Sequence, residues 1–257
     1  MPTVSNDGVD LYYETAGAGE TVAFVGDVGY GAWQWGWQHA AVAGPHRGLV
    51  ADLRGCGRSD APAGPYSVST LADDLTTVLS DAGARSAHVV GAGLGGMVAL
   101  SAARETARVD SLTLVGTAAR GDGLDLDPLW GAPDDPDALE RSLAAALSPS
   151  FVDDRPGEVE RMVEWRASED ADRAAWAAQA AAVSDFDVSD ALYEITEPAL
   201  VIHGADDAVW PVERGQELSA GLPRGEFRAV DDAGHLVHVE ASKRVNDELL
   251  GFLDDVS

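Results

Sequence analysis

The stretch "AHVVGAGLGGMVAL", Ala87 to Leu100, decides the fold. Its first residues form a short continuous apolar run, the mark of a strand buried on both faces. A glycine-rich turn follows, Gly91-Ala92-Gly93-Leu94-Gly95, and Leu94 to Thr106 reads as a helix. A strand that turns sharply into a helix in this way is the setting in which G-x-S-x-G presents a nucleophilic serine. The central residue here is Gly93, so the turn is present and the hydroxyl is not.

The same alternation runs outward in both directions. Upstream, "GVDLYYET" alternates apolar and polar residues as an outer, half-exposed strand, and "TVAFVG" (21–26) and "GLVADLRG" (48–55) are buried strands. "WQWGWQHAAVAG" reads as a helix. A second helix has Leu71, Leu75, Val78 and Leu79 at helical spacing, with Ser69 as its expected N-cap. Downstream come the strand "SLTLVG" (111–116), the strand "ALVIHG" (199–204), a helix after Pro211, the strand "EFRAV" (226–230) and a final helix over about 241–253. Such alternation predicts an α/β protein with a doubly wound, mostly parallel sheet. Sites in these sheets lie at the carboxyl ends of the strands. Residues 120–190 break the rhythm with helical patches and Trp130, Trp165 and Trp176, so they read as a helical lid inserted into a core made of 1–119 and 191–257.

Composition bounds the partners. The formal net charge is −27, from 44 acidic against 17 basic residues, and the only lysine is Lys243. At low salt such a chain repels itself, and at about 1 M salt the Debye length of roughly 3 Å removes most of that repulsion. The acids are spread along the chain rather than gathered in a tail, which favours a halophilic, salt-rich cytoplasm over a role as partner to a basic protein. Nucleic acid is not expected as a partner, because phosphate binding needs a basic surface. No apolar run suggests a membrane span, the first residues do not read as a signal peptide, and a single cysteine, Cys56, fits a cytoplasmic protein. A small-molecule ligand is expected, and a homo-oligomer is compatible with the sequence.

Four segments in order carry a resemblance. "VVGAGLGG" is a strand, turn and helix start; "DLRGCGRSD" (52–60) follows the strand before it; "VIHGADDAVWP" (201–211) and "DDAGHLVHVE" (231–240) come after the insertion. Together they resemble the α/β-hydrolase family, and within it the small esterase, enol-lactonase and haloperoxidase-like group. The resemblance implies that Asp207 is the triad acid, with Asp206 the neighbouring alternative, that His235 is the base, and that Gly93 stands at the nucleophile position. It also places Asp27 and Val28, after "VAFVG", at the oxyanion loop, with the Leu94 N–H as the second donor and Trp33 among the pocket-lining residues.

Glycine at this turn relieves a strained backbone that costs other residues on the order of 1–3 kcal/mol. It also removes the atom that would form an acyl-enzyme. Asp27 leaves two readings open: a carboxylate that opposes a developing oxyanion, or one that faces solvent. Cys56 reads as a small buried thiol rather than a replacement nucleophile. His203 reads as structural, His39, His46 and His88 as surface or strand-edge residues, and His238 with His235 lacks a third metal ligand, so neither metal nor cofactor is expected. The function expected is hydrolase-like or lyase-like chemistry on a small reactive substrate such as an enol lactone or activated ester, with an Asp207–His235 general-base dyad. The rival is a non-catalytic small-molecule binding protein; a glycine introduced to disable an enzyme ranks last.

Overall fold

Side chains alternate across the central strands and so define two buried layers. On β3 (Thr21–Val25), Val22 and Phe24 enter one core cluster and Ala23 and Val25 the other. Helices must therefore cover both faces. The computed structural model describes residues 2–256. The other strands are β1 (Thr3–Asn6), β2 (Val9–Gly17), β4 (Arg47–Ala51), β5 (Ala87–Ala92), β6 (Val109–Val115), β7 (Ala199–Gly204) and β8 (Gly225–Val230). They form one eight-stranded sheet in the order β1-β2-β4-β3-β5-β6-β7-β8. Only the β1–β2 and β2–β4 pairs are antiparallel. This is the mostly parallel, doubly wound sheet expected from the sequence.

Helices α1 (Gly36–Val42), α2 (Val68–Asp81) and α3 (Leu94–Glu105) alternate with the first strands. The second half is closed by α8 (Val212–Gly221), the short α9 (Val237–Glu240) and α10 (Ser242–Val256). Val42 of α1 and Leu249 and Phe252 of α10 share the cluster of Val22 and Phe24. Leu71 of α2, Met97 of α3 and Leu218 of α8 lie in the opposite one. Between β6 and β7 stand α4 (Pro136–Ala146), α5 (Pro149–Asp154), α6 (Pro156–Glu169) and α7 (Arg173–Ser184). Leu143, Phe151, Met162 and Trp176 from these helices continue the same core cluster as Ala23 and Val25.

Several details differ from expectation. Strand β1 is too short and too exposed to leave a sequence signal. The cap of α2 is Ser67 rather than Ser69: its extended backbone places Oγ 3.1 Å from the Thr70 N–H, and the helix begins at the buried Val68. The helix expected over 33–44 is split into a 3-10 turn at Ala32–Trp35 and α1. His46 and His88 are buried rather than at the surface. His88 lies on the central β5, with Nδ1 2.8 Å from Ser111 Oγ. Among the described residues no helix is long and apolar enough to cross a membrane.

The surplus of acids has a direct consequence. Thermal stability should rise steeply from dilute buffer to molar potassium chloride as screening removes self-repulsion. A melting temperature that stays flat across that range would contradict the halophilic reading of the charge.

Candidate active site

The carboxyl ends of four parallel strands, β3, β5, β7 and β8, deliver the residues that meet at the site. Gly93 joins β5 to α3 with φ 47° and ψ −113°, a conformation that glycine adopts freely. Gly95 lets α3 press onto β3: a Cβ there would sit 2.1 Å from the Val25 carbonyl oxygen. That approach brings the loop after β3, with Asp27, against the turn. The Gly93 N–H donates to Val115 O at 3.0 Å, and Thr117 Oγ1 donates to Gly93 O at 2.6 Å, which fixes the turn from below.

Asp27 points inward and is fully buried. Its Oδ1 accepts from the Val28 N–H at 2.6 Å and from the Leu94 N–H at 2.8 Å. Its Oδ2 is 2.7 Å from His235 Nε2. The other ring nitrogen, Nδ1, is 2.8 Å from Asp207 Oδ2. Asp207 is anchored by the Val209 and Trp210 N–H groups, which donate to its Oδ1 at 2.9 and 2.8 Å. The indole of Trp210 lies nearly parallel to the His235 ring, with centroids 6.1 Å apart. The result is one continuous chain, Asp207–His235–Asp27, that ends in two backbone N–H donors, Val28 in the loop after β3 and Leu94 at the start of α3.

The carboxylate of Asp27 also fills the space of the side chain absent at Gly93. A Cβ built there would lie 1.9 Å from Asp27 Oδ1 and 2.2 Å from its Cγ. Of the two orientations open from sequence, the structure selects the inward one. Asp27's own N–H turns away and donates to Gln34 Oε1 at 3.3 Å. The two N–H groups directed at the space beside Gly93 are therefore those of Val28 and Leu94, and the Asp27 N–H is not one of them.

Electrostatics follow from this geometry. Burial disfavours a charged His235, but the carboxylates of Asp207 and Asp27 outweigh it and raise its pKa to about 10. At neutral pH the ring is an imidazolium that donates from both nitrogens. Burial likewise works against ionised Asp207, yet His235 and His203 hold its carboxyl well below the usual range.

The remaining candidates resolve as follows. Asp207, not Asp206, meets His235. His203 is structural: its Nε2 is 2.7 Å from Trp210 O and 3.3 Å from Asp207 Oδ2. The rings of His238 and Trp35 lie with centroids 4.6 Å apart. Cys56 is buried, its Sγ accepts from Gln179 Nε2 at 3.4 Å, and burial pushes its thiol pKa up. Trp33 does not meet the Asp207–His235–Asp27 chain through any hydrogen bond. Its indole N–H donates to Asp170 at 2.9 Å, and its ring lines a separate surface cavity.

Sequence reasoning did not find the clamp on the Asp27 loop. Gly29 N–H donates to Gln179 Oε1 of α7 at 2.6 Å, and Ala171 N–H donates to Gly29 O at 2.9 Å. Gly31 N–H donates to Asp170 at 3.2 Å, and Trp33 N–H to Glu169 at 2.9 Å. Arg166 holds Asp170 at 2.6 Å. The inserted helices thus grip the loop that carries Asp27. Local sequence holds no sign of the contacts to the loop, because each of them joins residues more than a hundred positions apart; only the Arg166–Asp170 pair is local.

Fold and site define the α/β-hydrolase class. The family model for the alpha/beta hydrolase fold matches residues 29–242, and the chain belongs to that family. The chain is 34% identical to a 2-hydroxy-6-oxononadienedioate/2-hydroxy-6-oxononatrienedioate hydrolase of Paraburkholderia phymatum, over 95% of this chain and 90% of that protein. Among solved structures it is similar to Est816, described as an N-acyl homoserine lactone degrading enzyme, with 29% identity, a TM-score of 0.86 and coverage of 98% and 100% of the two chains. The enol-lactonase from Burkholderia xenovorans LB400 shares the fold, with a TM-score of 0.87 at 24% identity over 98% and 100% of the chains. The protein is a hydrolase-like enzyme of this family.

Proposed function

We propose that the chain hydrolyses a small, intrinsically reactive ester or enol lactone without a serine, with His235 as general base, Asp207 as its orienting acid and Asp27 as a gate. The observation that carries this is the position of the Asp27 carboxylate, bonded at once to Val28 N–H, Leu94 N–H and His235. While docked, Asp27 keeps His235 protonated and occupies the two donors that would hold a substrate carbonyl oxygen. Rotation of the Asp27 side chain out of the site reverses both effects. It frees the two N–H groups for a developing oxyanion. It also removes one carboxylate from His235, lowers the ring's proton affinity, and leaves Nε2 able to take a proton from water. That water stands in the space next to Gly93.

The relatives' printed activities, on 2-hydroxy-6-oxononadienedioate and on an N-acyl homoserine lactone, support a small carbonyl substrate. The helices over 120–190, which grip the Asp27 loop, act as the lid that couples substrate entry to release of Asp27. General-base catalysis contributes about 10²–10⁴-fold, which is why the substrate must be reactive in itself. A non-catalytic binder is the second reading, because a filled oxyanion hole also suits a site that has abandoned turnover.

The test is a time course with p-nitrophenyl acetate and an enol lactone. The unmodified protein should hydrolyse them slowly, with no burst of nitrophenol and no covalent adduct by mass spectrometry. A stoichiometric burst with a stable acyl-enzyme would overturn the serine-independent mechanism.

A further inference from the structure

Away from Asp207, His235 and Asp27, α6, the start of α1 and the turn before it line an open surface cavity of about 520 Å³. This is within the size range of small-molecule sites, roughly 300–1,000 Å³. Its lining includes Trp33, Trp37, Trp165, Glu158, Glu169 and Arg161. Trp37 and Trp165 meet edge to face, with centroids 6.1 Å apart. Trp165 is 37% exposed, an unusual setting for the largest side chain. Trp33 is fixed through its bonds to Glu169 and Asp170. The site is therefore partly built before any ligand arrives.

We infer that this cavity binds an organic cation of the quaternary ammonium class, held on the faces of Trp33, Trp37 and Trp165 beside the carboxylates of Glu158 and Glu169. Ring faces carry negative potential and attract such cations, with indole the strongest. A quaternary ammonium donates no hydrogen bonds, so a cavity with aromatic walls and carboxylates at its edge suits it. Elsewhere in this molecule cationic side chains already cover aromatic rings: Arg58 covers Tyr12, Arg166 covers Tyr30, and Arg173 covers both Trp130 and Trp176. Among the described residues, no arginine is stacked on the three indoles of this cavity. Glu169 is half-buried, and desolvation, followed by the nearby carboxylates of Asp52 and Asp170, raises its pKa. A cation in the cavity would relieve that repulsion. Arg161, an exposed lining residue, opposes the ligand by charge, which makes it informative.

The experiment is calorimetric titration of the intact protein with tetramethylammonium and with choline, at constant ionic strength held by potassium chloride. Saturable binding is expected, with Kd on the order of millimolar. Trp165→Ala and Trp37→Ala should each weaken it by about fivefold or more, consistent with the loss of one desolvated ring face. Glu169→Gln should weaken it less, and Arg161→Gln should tighten it. The neutral isostere 3,3-dimethylbutan-1-ol should bind about tenfold more weakly than choline if ring electrostatics decide. Because Trp165 is exposed, a folded Trp165→Ala variant is obtainable and checkable by circular dichroism. Absence of saturation would overturn the proposal. So would equal binding of the neutral isostere, which would mark an apolar cleft, unchanged affinity in folded Trp165→Ala, or saturation by acetate in place of the ammonium ions.

Discussion

Gly93→Ser alone should give a destabilised protein with no gain in esterase activity. A Cβ at that position lies 1.9 Å from Asp27 Oδ1, and the carboxylate it strikes is held by two N–H groups and His235. Serine must also adopt φ 47°, which favours glycine. Backbone strain and overpacking each cost on the order of 1–3 kcal/mol, so a loss of about 2–6 kcal/mol is expected in denaturant titration. The double variant Asp27→Gly, Gly93→Ser should behave oppositely. It removes the obstructing carboxylate, reopens the Val28 and Leu94 donors and places a hydroxyl beside His235 Nε2. It should show burst kinetics with p-nitrophenyl acetate and a trapped acyl-enzyme. A single Gly93→Ser variant as stable as the parent and active as an esterase would show that Asp27 leaves the site at no cost.

His235→Ala should have the second largest effect, on stability as well as activity. It leaves the Asp27 and Asp207 carboxylates buried with no imidazolium between them. Removing one partner of a buried ion pair costs about 3–5 kcal/mol. The pH dependence identifies the cause. A histidine whose folded pKa is raised contributes stability that is fully present below its unfolded pKa, about 6.5, and is lost as pH rises through the folded value of about 10. The stability gap between parent and His235→Ala should therefore be largest near pH 6 and shrink steadily from there to pH 10. A gap that is constant across this window would mean that the ring acts by packing alone. Hydrolysis should fall by about 10²–10⁴-fold in the same variant.

The sequence carried most of the fold because the fold is written in local patterns. Apolar runs such as Val22 to Val25 and Ala199 to Ile202 need burial on both faces, and turn residues at Gly91 to Gly95 need a tight, unencumbered backbone. The positions of Gly93, Asp207 and His235 were legible only through the resemblance of the four segments to the α/β-hydrolase family, each residue lying just past a strand. Two things were not legible. The direction of Asp27 depends on the volume left empty at Gly93, a relation across 66 positions that no local pattern encodes. The clamp of Gln179, Asp170 and Glu169 on the Asp27 loop depends on how the inserted helices pack, and their sequence shows only amphipathic helices. Trp33, expected near the substrate, is drawn instead to Asp170 and Glu169, partners supplied by α6 and the residue that ends it.

These two unreadable features meet in one residue, and one measurement addresses it. The rate of p-nitrophenyl acetate hydrolysis near pH 7 should be compared between the parent and Asp27→Ala. Removing the carboxylate frees both oxyanion donors and takes away one of the two charges that keep His235 protonated. The gating mechanism predicts that Asp27→Ala is faster by about tenfold or more, a part of the roughly 10²–10⁴-fold that an unobstructed general base contributes, and that the gain disappears when His235→Ala is added. A fall in Asp27→Ala to the rate of the His235→Ala variant would contradict it, because Asp27 would then be a participant in the reaction rather than the group that holds the site shut.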